Sequence, residues 1–137
     1  MDAFVTSTAD VRIPRILYGT AWKKDDTESL VRAALLHGFR GIDTACQPKH
    51  YHEPGVGAGV ASFLDEPSNG TLARGDLYLQ TKFTPLSGQD PARIPYDPKA
   101  PLAEQVRQSF AVFTESRDGL SGLPGPAFAS AAGDTKP

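Results

Sequence analysis

The strongest constraint on the fold is an alternation of strand-like and helix-like segments along the first 113 residues. The strand-like segments are short and apolar: RILYGTA (15–21), FRGID (39–43) and GDLYLQTKF (75–83). Each precedes a segment with apolar residues at helical spacing: residues 25–38, 53–65 and 101–113. Strands that alternate with helices form right-handed βαβ units, which place successive strands side by side. The sequence therefore predicts an α/β fold on a parallel sheet, with its three strands in chain order.

Two further regions flank this pattern. The segment FVTSTADVRIP (4–14) is compatible with an N-terminal hairpin that Pro14 closes. From Thr114 onward the sequence has neither a helical nor a strand period, and it is rich in glycine, alanine and proline. We therefore predict a folded part, residues 1–113, and a disordered tail, residues 114–137.

The helix-like segments also predict their own ends and buried faces. Asp26 or Thr27 is the expected cap of the first helix, Gly38 is its expected end, and Leu30 and Ala34 belong to its apolar stripe. The third helix carries four apolar residues on one face: Leu102, Val106, Phe110 and Phe113.

The composition limits which binding partners and which cellular compartment we expect for this chain. The net charge is −2 with both signs interspersed, which argues against a nucleic-acid partner. No apolar run approaches the length of a membrane span, and the N-terminus has no signal-like core. Cys46 is the single cysteine, so an intramolecular disulfide cannot form. We expect a cytoplasmic protein with no membrane partner.

Polar chemistry is concentrated in GIDTACQPKHYHE (41–53). Asp43 ends the second predicted strand and Lys82 ends the third, so both are expected at the carboxyl edge of the sheet, where α/β folds bind ligands. Tyr51 follows in the loop after Asp43. A lysine held by a carboxylate keeps its charge and favours the phenolate of a nearby tyrosine, which makes the tyrosine a usable general acid.

Each of these residues also has a simpler interpretation. Asp43 could be a helix cap or turn residue, and Lys82 a solvated strand end. The two imidazoles of HYH (50–52) lack a third ligand at metal-site spacing, so we predict a solvent loop and no metal. GVGAGV (55–60) follows a loop rather than a strand, which favours a close-packed helix start over a dinucleotide loop. Cys46 has the pattern of a packed residue or an idle thiol.

Four motifs, in order, resemble the N-terminal part of the aldo-keto reductases. These are LYGTAW (17–22), HGFRGIDTA (37–45), YHEPGVGAGV (51–60) and RGDLYLQTKF (74–83). The resemblance runs from about Arg12 to about Phe110. The chain departs from the family at CQPKH (46–50), which lengthens the segment between Asp43 and Tyr51.

The resemblance implies a (β/α)8 TIM barrel that transfers a hydride from NADPH to an aldehyde or ketone. Asp43, Tyr51 and Lys82 match three members of the family's catalytic tetrad, with Tyr51 as the proton donor, and Trp22 matches a residue that lines the substrate and cofactor cleft. The tetrad's histidine, at the end of the fourth strand, has no counterpart here. The chain therefore resembles an incomplete barrel of about three β/α units.

These features predict an NADPH-dependent aldo-keto reductase, truncated, that reduces a small carbonyl substrate in the tailoring of a secondary metabolite. The alternative is a catalytically inactive remnant or interaction fragment. Because the family binds the cofactor's phosphates with late loops, we expect no tight NADPH binding. An open sheet edge favours self-association. The loss of helical pattern near Val112 is typical of a frameshift, a retained intron or an early stop.

Overall fold

A computed structural model describes residues 2–115, with side chains up to residue 111. It contains five strands and three α-helices. The strands are β1 (Phe4–Thr6), β2 (Arg12–Pro14), β3 (Tyr18–Gly19), β4 (Gly41–Asp43) and β5 (Tyr78–Gln80). The helices are α1 (Thr27–Leu36), α2 (Glu53–Leu64) and α3 (Leu102–Glu115).

The central sheet is parallel and three-stranded, in the order β3, β4, β5. Its register aligns Gly19 with Asp43 and Asp43 with Gln80. An isolated bridge between Cys46 and Phe83 continues the pairing beyond both strands. This confirms the predicted strand order. Within residues 2–115 the sheet does not close on itself, so the described fold is an incomplete barrel.

The hydrophobic core lies between the sheet and the first two helices. Ile42 from β4 and Leu77, just before β5, contribute from the sheet side. Leu30, predicted on the stripe of α1, is 37% exposed, because the helix turns Val31 inward instead. The helix residues at the centre of the core are Val31, Leu35, Val56, Val60 and Phe63.

The glycine-rich start of α2 lets it pack closely on α1. A Cβ on Gly59 would lie 2.6 Å from the backbone oxygen of Glu28 and 2.9 Å from the Cβ of Val31. Such distances are far below van der Waals contact, so only glycine permits this approach. The interpretation of residues 55–60 as a close-packed helix start is confirmed.

The predicted N-terminal hairpin is also present. β1 pairs antiparallel with β2, with Phe4 opposite Pro14. A Cβ on Gly41, at the amino end of β4, would lie 3.2 Å from the Cγ of Pro14 and would collide with the Leu17 side chain. The hairpin therefore covers the amino end of the sheet and leaves the carboxyl end open.

The third helix forms as predicted, but part of its apolar face is exposed. Leu102 is 65% exposed and Val106 is 39% exposed, whereas Ser109 is buried. Of the predicted tail, Thr114 and Glu115 belong to α3; residues 116–137 lie outside the described residues. Within the described part of the chain, no helix has the length and apolar character needed to cross a membrane.

Candidate active site

An ion pair lies at the open carboxyl end of the sheet. The Nζ of Lys82 donates a hydrogen bond to the Oδ1 of Asp43 at 2.6 Å. The strand register explains the contact: Asp43 aligns with Gln80, and Lys82 lies two residues further along, on the same face. Asp43 and Lys82 thus approach each other as their positions at strand ends predicted.

Gln80 holds the carboxylate from a second direction. Its Nε2 donates to the same Asp43 oxygen at 2.6 Å, and its Oε1 accepts a hydrogen bond from the hydroxyl of Tyr78 at 3.2 Å. Sequence analysis did not single out Gln80. The signal was present in the strand's alternation, which places residues 78, 80 and 82 on one face. Asp43 is therefore fixed by two donors rather than by Lys82 alone.

Tyr51 lies over the ion pair, on the lengthened loop. The Nζ of Lys82 is 5.6 Å from the centroid of the Tyr51 ring. The loop is organised around Gln47, whose backbone oxygen accepts hydrogen bonds from the N–H groups of His50 and Tyr51, both at 3.0 Å. The Gln47 side chain donates to the backbone oxygen of Gly88 at 2.7 Å. The extra residues therefore form a braced turn that returns Tyr51 to the sheet.

Trp22 stands at the same end of the sheet in an unusual backbone conformation. Its φ is +63°, a region that bulky residues rarely adopt. Its N–H donates to the backbone oxygen of His50 at 2.7 Å, and the two rings stack with centroids 4.0 Å apart. The indole is nevertheless 63% exposed. A cavity of about 370 Å³ is lined by Trp22, Lys24, Lys49, His50, Tyr51 and Arg93, among others.

Glu53 is the buried acidic group next to these residues. It begins α2 and is only 4% exposed. Its Oε1 accepts a hydrogen bond from the hydroxyl of Thr81, and the thiol of Cys46 lies beside its carboxyl group. Burial raises the pKa of Glu53 to about 7, against the opposing effects of Thr81, Cys46 and the charge of Lys82. Sequence analysis missed this residue, because nothing local distinguishes it from an ordinary acidic helix start.

Cys46 does not have the surroundings of a nucleophile. It is buried, and burial raises the pKa of its thiol, partly opposed by a hydrogen bond with Ser109 of α3. A reactive cysteine needs an exposed thiol that readily loses its proton. The interpretation of Cys46 as a packed residue fits these surroundings.

The fold is similar to that of several solved reductases. One is an aldo-keto reductase from Brucella melitensis (25% identity, TM-score 0.58), which covers 82% of this chain and 36% of its own. Another is the Bombyx mori aldo-keto reductase in complex with NADP (22%, TM-score 0.59; 82% and 33%). A third comes from a Medee basin deep-sea metagenome library (20%, TM-score 0.53; 85% and 34%). The chain has the fold of the N-terminal part of an aldo-keto reductase.

The chain spans about a third of the length of these reductase structures. No family model matches its sequence. The match of Asp43, Tyr51 and Lys82 to three members of the aldo-keto reductase tetrad stays a prediction from the resemblance. The three histidines of the chain, His37, His50 and His52, all precede β5.

Each of the three described α-helices has an acidic residue in its first turn. A helix N-terminus binds phosphate through free N–H groups and its positive dipole end. Here acidic residues occupy the first turns: Glu28 in α1, Glu53 in α2 and Glu104 in α3. Among the residues that line the cavity, Arg93 is paired with Asp90.

Proposed function

We propose that this chain carries the proton-donating part of an NADPH-dependent aldo-keto reductase, which reduces the carbonyl group of a small molecule. The observation that supports this most is the Asp43–Lys82 ion pair beneath the Tyr51 ring, at the open end of the sheet. The carboxyl end of a barrel sheet is where enzymes of this architecture bind their substrates. The cavity beside Tyr51 offers the carbonyl compound a place.

In the proposed reaction, the carbonyl oxygen lies at the hydroxyl of Tyr51, which donates its proton as the carbon is reduced. The ammonium of Lys82, 5.6 Å from the centre of the Tyr51 ring, is the positive charge that would stabilise the phenolate that remains. Asp43 keeps Lys82 charged and in place, and Gln80 keeps Asp43 in place. Trp22 forms an apolar wall for the substrate.

NADPH supplies the hydride in aldo-keto reductases. Since every described α-helix begins with an acidic residue in its first turn, which disfavours phosphate there, we predict that the chain does not bind NADPH tightly. A fluorescence titration of the cofactor would test this, and saturable binding at micromolar concentration would contradict it.

The proposal also covers the substrate, the biological role, the location and the partners of the chain. A small carbonyl compound is the proposed substrate, secondary-metabolite tailoring the proposed role and the cytoplasm the proposed location, with neither nucleic acid nor membrane as a partner. The alternative is an inactive remnant that acts by association. Among residues 2–115, β5 is an edge strand, which favours this alternative because an unpaired edge is a template for a second chain. Sedimentation velocity would separate a monomer from a self-associated form.

The test of function is NADPH oxidation by the full chain with a panel of aldehydes and ketones. Turnover should fall by about 10²–10⁴-fold in Tyr51→Phe, because a general acid contributes about that much. Tyr18→Phe is the matched control, since Tyr18 packs against the hydrophobic core and its ring contacts Phe39, outside the proposed site. Absence of turnover with every carbonyl compound would favour the inactive alternative.

A further inference from the structure

Glu53 connects the two segments that carry the proposed proton-donating pair. It lies two residues after Tyr51, and its hydrogen-bond partner Thr81 directly precedes Lys82. The Thr81 hydroxyl, which donates to the Glu53 carboxyl group, therefore fastens the Tyr51 loop to the end of β5. A backbone bond from the N–H of Cys46 to the oxygen of Lys82, at 3.0 Å, joins the start of the same loop to this strand end.

The carboxyl group is enclosed but incompletely bonded. Oε2 accepts no well-formed hydrogen bond from the described residues. A buried carboxylate with a free oxygen carries a large desolvation cost, so this site favours the protonated form. The groups that act on the Glu53 carboxyl group are Thr81 and Lys82 from the segment after β5 and Cys46 from the segment after β4, which Ser109 of α3 bonds in turn.

We propose that Glu53 is a positioning residue for Tyr51 and Lys82, which holds the loop through Thr81 and alters the net charge beside Lys82 when it gains or loses its proton. The inference rests on the proposed function, because that function gives Tyr51 and Lys82 their role. The contacts of Glu53 themselves do not depend on the proposed function.

The effect of Glu53 on the local charge follows from the charges of Glu53, Asp43 and Lys82. With Glu53 protonated, the charges of Lys82 and Asp43 cancel. With Glu53 ionised, the three groups carry a net charge of −1. Because Lys82 is the group that stabilises the Tyr51 phenolate, ionisation of Glu53 weakens that support. Deprotonation of Glu53 therefore acts against proton donation by Tyr51.

The test is an NMR titration of the full chain with labelled lysine and tyrosine, which needs no turnover. Lys82→Met and Tyr51→Phe spectra assign the two signals. We expect both signals to shift as the pH rises through about 7, the pKa of Glu53. Glu53→Gln keeps the shape of the side chain and an oxygen that can accept a hydrogen bond, but it cannot lose a proton. In this variant the shift of the two signals near pH 7 should vanish. The charge effect is contradicted if the natural chain shows no such shift, or if the shift persists in Glu53→Gln.

A second variant isolates the hydrogen bond. Thr81→Val removes the hydroxyl that donates to Glu53 but keeps the Glu53 carboxyl group. The Tyr51 signal should therefore be displaced at every pH, whereas the Lys82 signal should still shift when Glu53 loses its proton. An unchanged Tyr51 signal would overturn the positioning role. Glu66→Gln is the control, because Glu66 pairs with Arg32 away from the site and should affect neither signal. If the chain has no turnover but its Lys82 and Tyr51 signals shift with pH as expected, the proposed function is contradicted and this inference stands.

Discussion

The two faces of the parallel sheet differ, although their residues alternate along the same strands. Ile42 and Leu79 face α1 and α2 and belong to the core or pack against it. Their strand neighbours Asp43 and Gln80 face the other way and bond each other. The first face is apolar and closed, and the second is polar and open at its carboxyl end. We infer that stability and chemistry are separable in this chain, because they depend on opposite faces.

The largest effect on stability should come from the helix-covered face. Phe63→Ala removes a ring that is 1% exposed, and we expect the free energy of unfolding to fall by about 3–5 kcal/mol, the usual cost of such a cavity. Urea unfolding would measure it. Val5→Ala, in the exposed hairpin strand, should cost less than about 0.5 kcal/mol. Equal losses in the two variants would contradict the assignment of the core.

A smaller effect should appear when the pH is changed. The pKa of Glu53 is raised from 4.5 to about 7 in the folded chain, so the folded state holds this proton more tightly. The resulting stability is fully present below 4.5 and is lost as the pH rises through about 7. The loss is about 3 kcal/mol.

Urea unfolding of the natural chain and of Glu53→Gln across this pH range would measure the effect. The difference between the two isolates Glu53 from the other carboxyl groups. Parallel pH profiles would show that Glu53 does not titrate as described.

The smallest effect on stability should come from the polar face. The Lys82 side chain is 44% exposed, and exposed ion pairs contribute about 0.2–1 kcal/mol. We expect Asp43→Asn to lower the free energy of unfolding by no more than about 1 kcal/mol, because Gln80 still supplies a hydrogen bond. A loss as large as that of Phe63→Ala would show that the polar face is structural.

The sequence predicted the parts of this arrangement that depend on local pattern. Strand and helix order, the hairpin and the positions of Asp43 and Lys82 at strand ends follow from alternation and from the geometry of βαβ units. The role of Tyr51 came from the family resemblance, because its loop has no periodic signal. The catalytic roles of these residues stay predictions until turnover is measured.

Contacts between distant segments could not be predicted in this way. The burial of Glu53 depends on Thr81 and on the neighbouring Cys46, which Ser109 of α3 approaches from far along the chain. An amphipathic pattern shows which side of a helix is apolar, but not what covers it, so the exposure of Leu102 was not foreseen.

The predicted helix cap was wrong in detail. Asp26 precedes α1, but its side chain makes no capping bond. The Thr27 hydroxyl instead donates to the backbone oxygen of Lys24, at 2.6 Å. A short 3-10 turn over Lys24–Asp26 precedes the helix, and Asp26 has right-handed helical backbone angles instead of the extended angles typical of a capping residue.

The central claim is that the helix-covered face of the parallel sheet determines stability, whereas its polar face carries the proposed chemistry. The most direct test measures turnover per folded molecule and the free energy of unfolding for Lys82→Met and Val60→Ala. We predict that Lys82→Met loses at least about tenfold in turnover, with little change in stability. Val60→Ala should lose stability and keep its turnover. The claim is contradicted if Lys82→Met unfolds the chain or leaves turnover unchanged, or if Val60→Ala abolishes turnover in molecules that remain folded.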